Sequence, residues 1–430
     1  MRVPPAPRMM PKEGRMPDET VLVVNAGSSS LKYELRDASS GVRLGRGIVS
    51  RIGHDGTSLR YQVTGSDPVE RPLPGASYAD AIAAMFQRFD EAGARLDGLI
   101  GAGHRVVHGG TEFSTPVVVD DDILARIDAL SSLAPLHNPV AVECIRLMKE
   151  RDRDLPQVAV FDTAFHATLP WEAYTFAIPQ ELAAEHQLRR YGFHGTSVEY
   201  VTGRTAALLG VPPAEVNLIV CHLGNGASIT AVRGGRSVDT SMGFTPLSGL
   251  VMGTRAGDID ASAVLFLLDT VGMSTAEVAT LLERRSGLLG LSGESDMAKV
   301  QSLAEAGDED ARAALALAAY RIRHYIGAYL ATVPGVHAVV FTAGIGENDP
   351  SFRAEVCTPL AHLGIEIDPS RNALSVPDDG LVVGGGPIRV AVVPTDEEAE
   401  IAHHTVALVR TGSPARPAAA ADHSEAKENA

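Results

Sequence analysis

The sequence predicts an α/β protein made of two duplicated α/β halves with a cleft between them. Three observations carry this. Short apolar runs alternate with stretches of helical spacing, the pattern of an α/β chain rather than of segregated strands and helices. The segment Val21-Leu-Val-Val-Asn-Ala-Gly-Ser-Ser-Ser-Leu is echoed about 200 residues later by Leu218-Ile-Val-Cys-His-Leu-Gly-Asn-Gly-Ala-Ser-Ile. Each copy is an apolar strand, a turn rich in Gly, Asn and Ser, and an alternating strand. Finally, 430 residues at roughly 150 per domain suffice for two or three domains, each able to bury a core without disulfide or metal staples.

The elements follow in order. Residues 21–24 read as a short buried strand and 31–35 as its return partner. Residues 79–92 and 121–130 carry helical spacing, and 158–161 is another buried strand. Residues 311–332 form a long Ala-rich helix ending near Pro334, followed by strands at 336–341 and 388–393. That helix suits either a core or a subunit interface. Residues 1–18 and 412–430 read as flexible tails, since neither has a periodic apolar pattern. The expected division is 19–165 plus 399–411 for one domain and 166–398 for the other, with hinges near 166 and 398.

Composition removes several classes. With 45% apolar and 21% charged residues the chain is not disordered. No run of 18 apolar residues exists to span a membrane. The segment before Val21 is Pro-rich and basic without an apolar stretch, so it does not read as a secretory signal. Cys144, Cys221 and Cys357 are far apart, as in a reduced, cytoplasmic protein. A net charge of −16 argues against nucleic acid as a partner. None of the five lysines lies in a Walker-A loop.

Anion chemistry must then come from locally gathered Arg, His and glycine turns. Asn25 to Lys32 follows a buried strand, and its serines offer hydroxyls and N–H groups to an anion. Gly103-His-Arg-Val-Val-His-Gly-Gly110 supplies the planar fork of Arg105 beside the apolar Val107 on an extended segment; His104 and His108 read as structural. Pro135-Leu-His-Asn-Pro139 places His137 in a turn held by two prolines. Asp162 stands just past a buried strand, where α/β proteins keep active residues, or else caps a helix. Arg190 to Ser197 sets His194 between Phe193 and Gly195. Gly224 and Gly226 permit close backbone approach to a phosphate, and Arg255 follows another glycine-rich loop. Phe341-Thr-Ala-Gly-Ile-Gly-Glu-Asn348 lacks the third Gly of a dinucleotide fingerprint. Thr395-Asp-Glu-Glu398 offers acids to a cation.

As an ordered set, these blocks resemble the acetate kinase family, the acetokinases, over about residues 21–409. That family belongs to the sugar kinase, Hsp70 and actin superfamily, whose plan of two ribonuclease H-like domains the repeat also suggests. The resemblance implies reversible phosphoryl transfer from ATP to acetate, giving acetyl phosphate and ADP. It also implies Mg²⁺, with Mn²⁺ able to substitute, and a homodimer. By resemblance, Arg105 and Arg255 flank the transferred group, His194 contacts it, His137 stabilises the transition state, and Asp162 is the essential acid. Val107, Leu136, Phe193 and Pro246 form the pocket for the acetate methyl, beside Arg105. Asn25 and Glu397 hold the metal. Lys32, His222, Leu223, Gly224, Asn225, Gly226, Asp296, Met297, Ala298, Gly344, Ile345, Gly346, Glu347 and Asn348 stand on the nucleotide side.

Three positions depart from the family pattern. Ala298 stands where an Arg often lies near the base, with Lys299 next to it as a partial replacement. Val198 replaces a common His. Asp396 replaces a common Asn and adds a negative charge near the metal. A propionate or butyrate kinase is the runner-up within the family. A non-catalytic relative predicts loss of Arg105, Asp162, His194 or Arg255, and all four are present.

Overall fold

The computed structural model describes residues 18–91 and 98–413. The tail expectations for 1–17 and 414–430, and Ala92 at the end of the first expected helix, lie outside the described residues.

The chain builds two mixed sheets. The first contains β1 (Thr20–Gly27), β2 (Ser30–Asp37), β3 (Arg43–Ser50), β4 (Ser58–Val63), β5 (Val69–Pro72), β6 (Leu99–Val106), β7 (Val117–Val118) and β8 (Gln157–Phe161). Their order is β5-β4-β3-β2-β1-β6-β8-β7. The second contains β9 (Leu218–Leu223), β10 (Ala227–Arg233), β11 (Arg236–Thr240), β12 (Ala338–Thr342), β13 (Leu381–Gly384) and β14 (Arg389–Val392), ordered β11-β10-β9-β12-β14-β13.

The duplication expected from the two glycine turns is complete at the level of topology. In each sheet an antiparallel three-strand meander is followed by two parallel strands and an antiparallel edge strand. Thus β3-β2-β1-β6-β8-β7 corresponds to β11-β10-β9-β12-β14-β13, and β4 and β5 extend only the first sheet. The central strands are covered on both faces, so β1, β8, β9 and β12 read as unbroken apolar runs rather than alternating ones. Coverage of β3 to β5 is thinner and more polar, which is why no strand was legible there.

Helices seal the sheets. Glu309–Thr332 buries Ala311, Ala314, Leu315, Ala318, Ala319, Ile322, Ile326 and Tyr329 in the core of the second half, so it is a core helix. Glu397–Thr411 returns the chain to the first sheet. It sits so close to β6 that a Cβ on Gly103 would lie 2.7 Å from Ile401 Cγ2. Gly195–Leu209 packs against it. The helix Ala261–Asp269 buries none of its residues, leaving Leu265 57% and Phe266 55% exposed. Among the described residues no helix is long and apolar enough to cross a membrane.

Candidate active site

Strand ends bring the charged residues together. β6 delivers Arg105, and β8 ends one residue before Asp162, whose N–H donates to the Val106 carbonyl. Arg105 grips Asp162 as a fork: Nε donates to Oδ1 at 3.0 Å and Nη2 to Oδ2 at 2.5 Å. Its Nη1 donates to Asn25 Oδ1 at 3.2 Å, and Glu397 lies 3.9 Å from Nε. Burial alone would lower the Arg105 pKa, but Asp162 and Glu397 outweigh it and hold the guanidinium above its ordinary value. Burial raises the Glu397 carboxyl to about 7, with Arg105 pulling the other way. The segment stops being a strand at Val106, so Val107 lies past its end and packs in the apolar cluster with Phe193.

The second half supplies the imidazoles and the other Arg. His194 sits at a left-handed backbone position (φ +60°), immediately before the helix Gly195–Leu209. A bend there without glycine stores about 1–3 kcal/mol of strain. The bend is imposed by Gly195, whose N–H donates to the Asp162 carbonyl at 2.9 Å; a Cβ on it would lie 2.2 Å from that oxygen. His194 Nδ1 lies 3.0 Å from Ser228 Oγ, and its ring stacks on His222 at 4.1 Å. His222 is fixed through Ser197 Oγ at 2.8 Å. Burial, then His222, Arg105 and Arg255, push the His194 pKa well down. Burial, then Arg105 and Arg255, lower His137 as well, so His137 also lies in the field of both arginines. His137 immediately precedes the helix Asn138–Arg151, and Pro139 stands in its first turn.

Arg255 differs from Arg105. Its Nη1 donates only weakly, to the Pro246 carbonyl at 3.3 Å and Met252 Sδ at 3.8 Å. Among the described residues no carboxylate lies within 4.0 Å of it. Burial lowers its pKa, opposed by Glu283. Arg255 Nη1 and His194 Nε2 meet across Gly226, where an added Cβ would lie 3.4 Å from each. From Gly226 the same turn runs outward to Asn225 and Gly224, which line a cavity of about 500 Å³. Asp296, Met297, Ala298, Gly344, Ile345 and Asn348 line it too.

Other expected residues stand elsewhere. Lys32 is exposed on β2 and lines a separate cavity with Arg46, Arg60 and Glu398. His222 supports His194 from behind, Leu223 is in the core, and Gly346 is buried against Phe341. The Glu347 carboxylate accepts the N–H groups of Ala343 at 2.8 Å and Thr395 at 2.9 Å, tying the start of its own helix, Ala343–Asn348, to the loop before Glu397 rather than facing the cavity. Asp296 lines the cavity but spends one oxygen capping the helix Met297–Glu305. Lys299 does not replace an Arg at 298, because its ammonium turns to Glu294 at 3.3 Å. Asp396 adds no free charge beside Asn25 and Glu397, the residues expected to hold a metal. It receives a forked bond from Arg36 at 2.6 and 2.8 Å and caps the helix Glu397–Thr411. Leu136 is 45% exposed, outside the cluster that holds Val107 and Phe193.

Glu398, read in the sequence only as one of the acids offered to a cation, accepts from Asn25 Nδ2 at 3.4 Å, so both acids of the Glu-Glu pair reach the site. Sequence reasoning gave other contributors no role. Gln301 and Gly253 line the large cavity. Ser228 and Thr196 were inside the quoted motifs, but their contacts to His194 and Asp162 cross between elements.

The pattern of the acetokinase family matches residues 20–403. The chain belongs to the acetokinase family. An acetate kinase of Clavibacter michiganensis is 53% identical over 390 residues, covering 90% of this chain and 98% of that protein. One from Streptomyces avermitilis is 51% identical over 396 residues, covering 91% and 98%. Among solved structures, the acetate kinase of Porphyromonas gingivalis aligns with a TM-score of 0.86 at 36% identity, over 91% of this chain and 100% of that one. The propionate kinase of Francisella tularensis also aligns at 0.86, with 40% identity, over 90% and 99%. The family pattern spans both halves of the chain, which supply Arg105 and Asp162 on one side and His194 and Arg255 on the other.

Proposed function

We propose that this acetokinase is an acetate kinase, transferring the terminal phosphoryl group of ATP to acetate and running reversibly through acetyl phosphate and ADP. The observation that carries the reading is the turn at 224–226. Its outer end lines a cavity of nucleotide size, and its inner end touches Arg255 and His194. A nucleotide in the cavity would direct its phosphates toward the Arg255 guanidinium and the His194 imidazole.

Phosphoryl transfer asks the protein for alignment and positive charge rather than covalent chemistry. Arg255, with no carboxylate partner among the described residues, is placed to hold an equatorial phosphoryl oxygen. With the Ser228 hydroxyl donating to His194 Nδ1, the proton of the neutral imidazole sits on Nε2 and donates to the same group. Arg105, oriented by Asp162, receives the acetate carboxylate from the other side, and His137 adds a further donor. Acetate is ionised at pH 7, so Asp162 serves as an orienter and no strong base is needed. The methyl group meets Val107 and Phe193.

The donor set of Asn25, Glu397 and Glu398 can present oxygen alone and carries a half-buried carboxylate whose pKa is raised despite Arg105, which fits a hard divalent ion held partly through water. Mg²⁺ there would neutralise phosphate charge. Transfer is direct and in line, so configuration at phosphorus inverts; retention would count against it. The domains 19–165 with 399–411 and 166–398 close over both substrates. A homodimer forms through the exposed apolar helix Ala261–Asp269.

The deciding experiment is acyl hydroxamate formation with Mg-ATP, comparing acetate, propionate and butyrate, with Arg105→Ala as control. Acetate turnover that vanishes in the variant is expected. The structural likeness to a propionate kinase makes propionate the second reading, and a preference for it would overturn the Val107 argument while keeping the mechanism. No turnover with any acid would sink both.

A further inference from the structure

Behind the candidate site, where the two halves meet, lies a group of side chains that phosphoryl transfer does not use. Glu400 and His404 stand four residues apart on the helix Glu397–Thr411 and therefore share a face. Glu199 reaches them from the helix Gly195–Leu209. His404 Nε2 lies 3.3 Å from Glu199 Oε2 and 3.4 Å from Glu400 Oε1, with the imidazole only 4% exposed. One donor atom from each residue falls within 4.8 Å of the others.

We propose that Glu199, Glu400 and His404 form a second, non-catalytic divalent-metal site, suited to Zn²⁺. Two donors each about 2.05 Å from a tetrahedral ion stand about 3.3 Å apart, and the two N···O separations here match that edge. One imidazole and two carboxylates suit a borderline cation better than Mg²⁺, which prefers oxygen alone. Two cavities open on the cluster, one of about 270 Å³ beside Glu199 and His404 and one of about 340 Å³ beside all three residues. They give an entry path and leave the remaining coordination to water. The ion would strap together the helix that starts behind His194 and the helix that starts at Glu397. Its position sets it apart from the metal residues Asn25 and Glu397, and the proposal stands whichever acid is the substrate.

The test uses the full-length untagged chain, stripped with EDTA and held in excess Mg²⁺ so that hard oxygen sites are filled. Calorimetric titration with ZnCl₂ should reveal one site per chain, and Zn²⁺ should raise the Tm. His404→Gln and Glu199→Gln should each weaken that site at least about tenfold, the lower end of what loss of a mere outer-shell partner causes, and remove the Tm rise. His403→Gln, its helix neighbour, should bind as the parent does. The partly exposed Glu199 keeps the test available if His404→Gln folds poorly by circular dichroism. Absence of Zn²⁺ binding in the parent would overturn the site and leave a plain histidine–carboxylate contact. Equal affinity in the parent and the Glu199→Gln variant would overturn it as well.

Discussion

At the residue scale, the two candidate arginines should fail in different ways. Arg105 is the partner of the buried Asp162, while Arg255 has, among the described residues, a carbonyl and a thioether. Removing a transition-state Arg costs about 10³ to 10⁵ in rate, so Arg105→Ala and Arg255→Ala should both lose that much kcat. Stability should separate them. Arg105→Ala strands a carboxylate that is 2% exposed, at about 3–5 kcal/mol. Arg255→Ala relieves a desolvated cation and should change stability by less than about 1 kcal/mol. Urea unfolding beside steady-state kinetics distinguishes the pair; equal destabilisation would contradict the partner assignment. Arg105, Asp162, His194 and Arg255 were each legible as residue types in motifs. Which Arg is paired was not, because Arg105 and Asp162 are 57 residues apart and meet only through the register of β6 with β8.

At the scale of elements, the helix Gly195–Leu209 offers a controlled comparison. Gly195 is pressed against the Asp162 carbonyl, whereas Gly203 in the same helix has nothing within 4 Å of where a Cβ would stand. Gly195→Ala should therefore cost about 1–3 kcal/mol by overpacking and lower kcat by displacing His194 and Asp162. Gly203→Ala should stabilise by about 0.5–1 kcal/mol through helix propensity and leave kcat alone. Thermal melts and turnover of both variants check this; similar behaviour would mean the junction is slack. The strand–turn–strand units at 21 and 218 were readable because both faces of β1 and β9 are buried. β3 to β5 were not, because their half-exposed residues carry neither clean alternation nor an apolar run.

Across the whole molecule, burial of histidines sets the acid limit of stability. Burial holds His104 and His166 neutral, with pKa values of about 4. In the unfolded chain they titrate near 6.5, so between about pH 6.5 and 4 the unfolded state binds more protons. Stability is thus full above pH 6.5 and falls as the pH drops through that window, by up to about 3 kcal/mol for each such group. Tm measured from pH 7.5 to 4.5 should decline accordingly, and His104→Gln should flatten part of the slope; an unchanged slope would remove His104 from the account. Association is the second property at this scale. Leu265, Phe266 and Val271 form an exposed apolar surface of the sort that marks an interface. Phe266→Glu should convert a dimer to a monomer in light scattering, and a parent that is already monomeric would refute the proposed use of this helix.

The sequence by itself determined the α/β class, the duplication and the family, because these rest on local patterns: apolar runs, glycine turns and their order along the chain. It also named most of the side chains around the candidate site. The tertiary structure decided which of them act on one another. Lys299 and Asp396 looked like functional charges in the sequence, yet each is claimed by a neighbour, Glu294 and Arg36. Glu347 became a staple between the start of its own helix and the loop at Thr395, and Glu398 joined Asn25. The physical reason is range. Turn and strand preferences act over a few residues, whereas an ion pair or a hydrogen bond is decided by what the fold brings within about 3 Å. At this site those partners come from both halves of the chain.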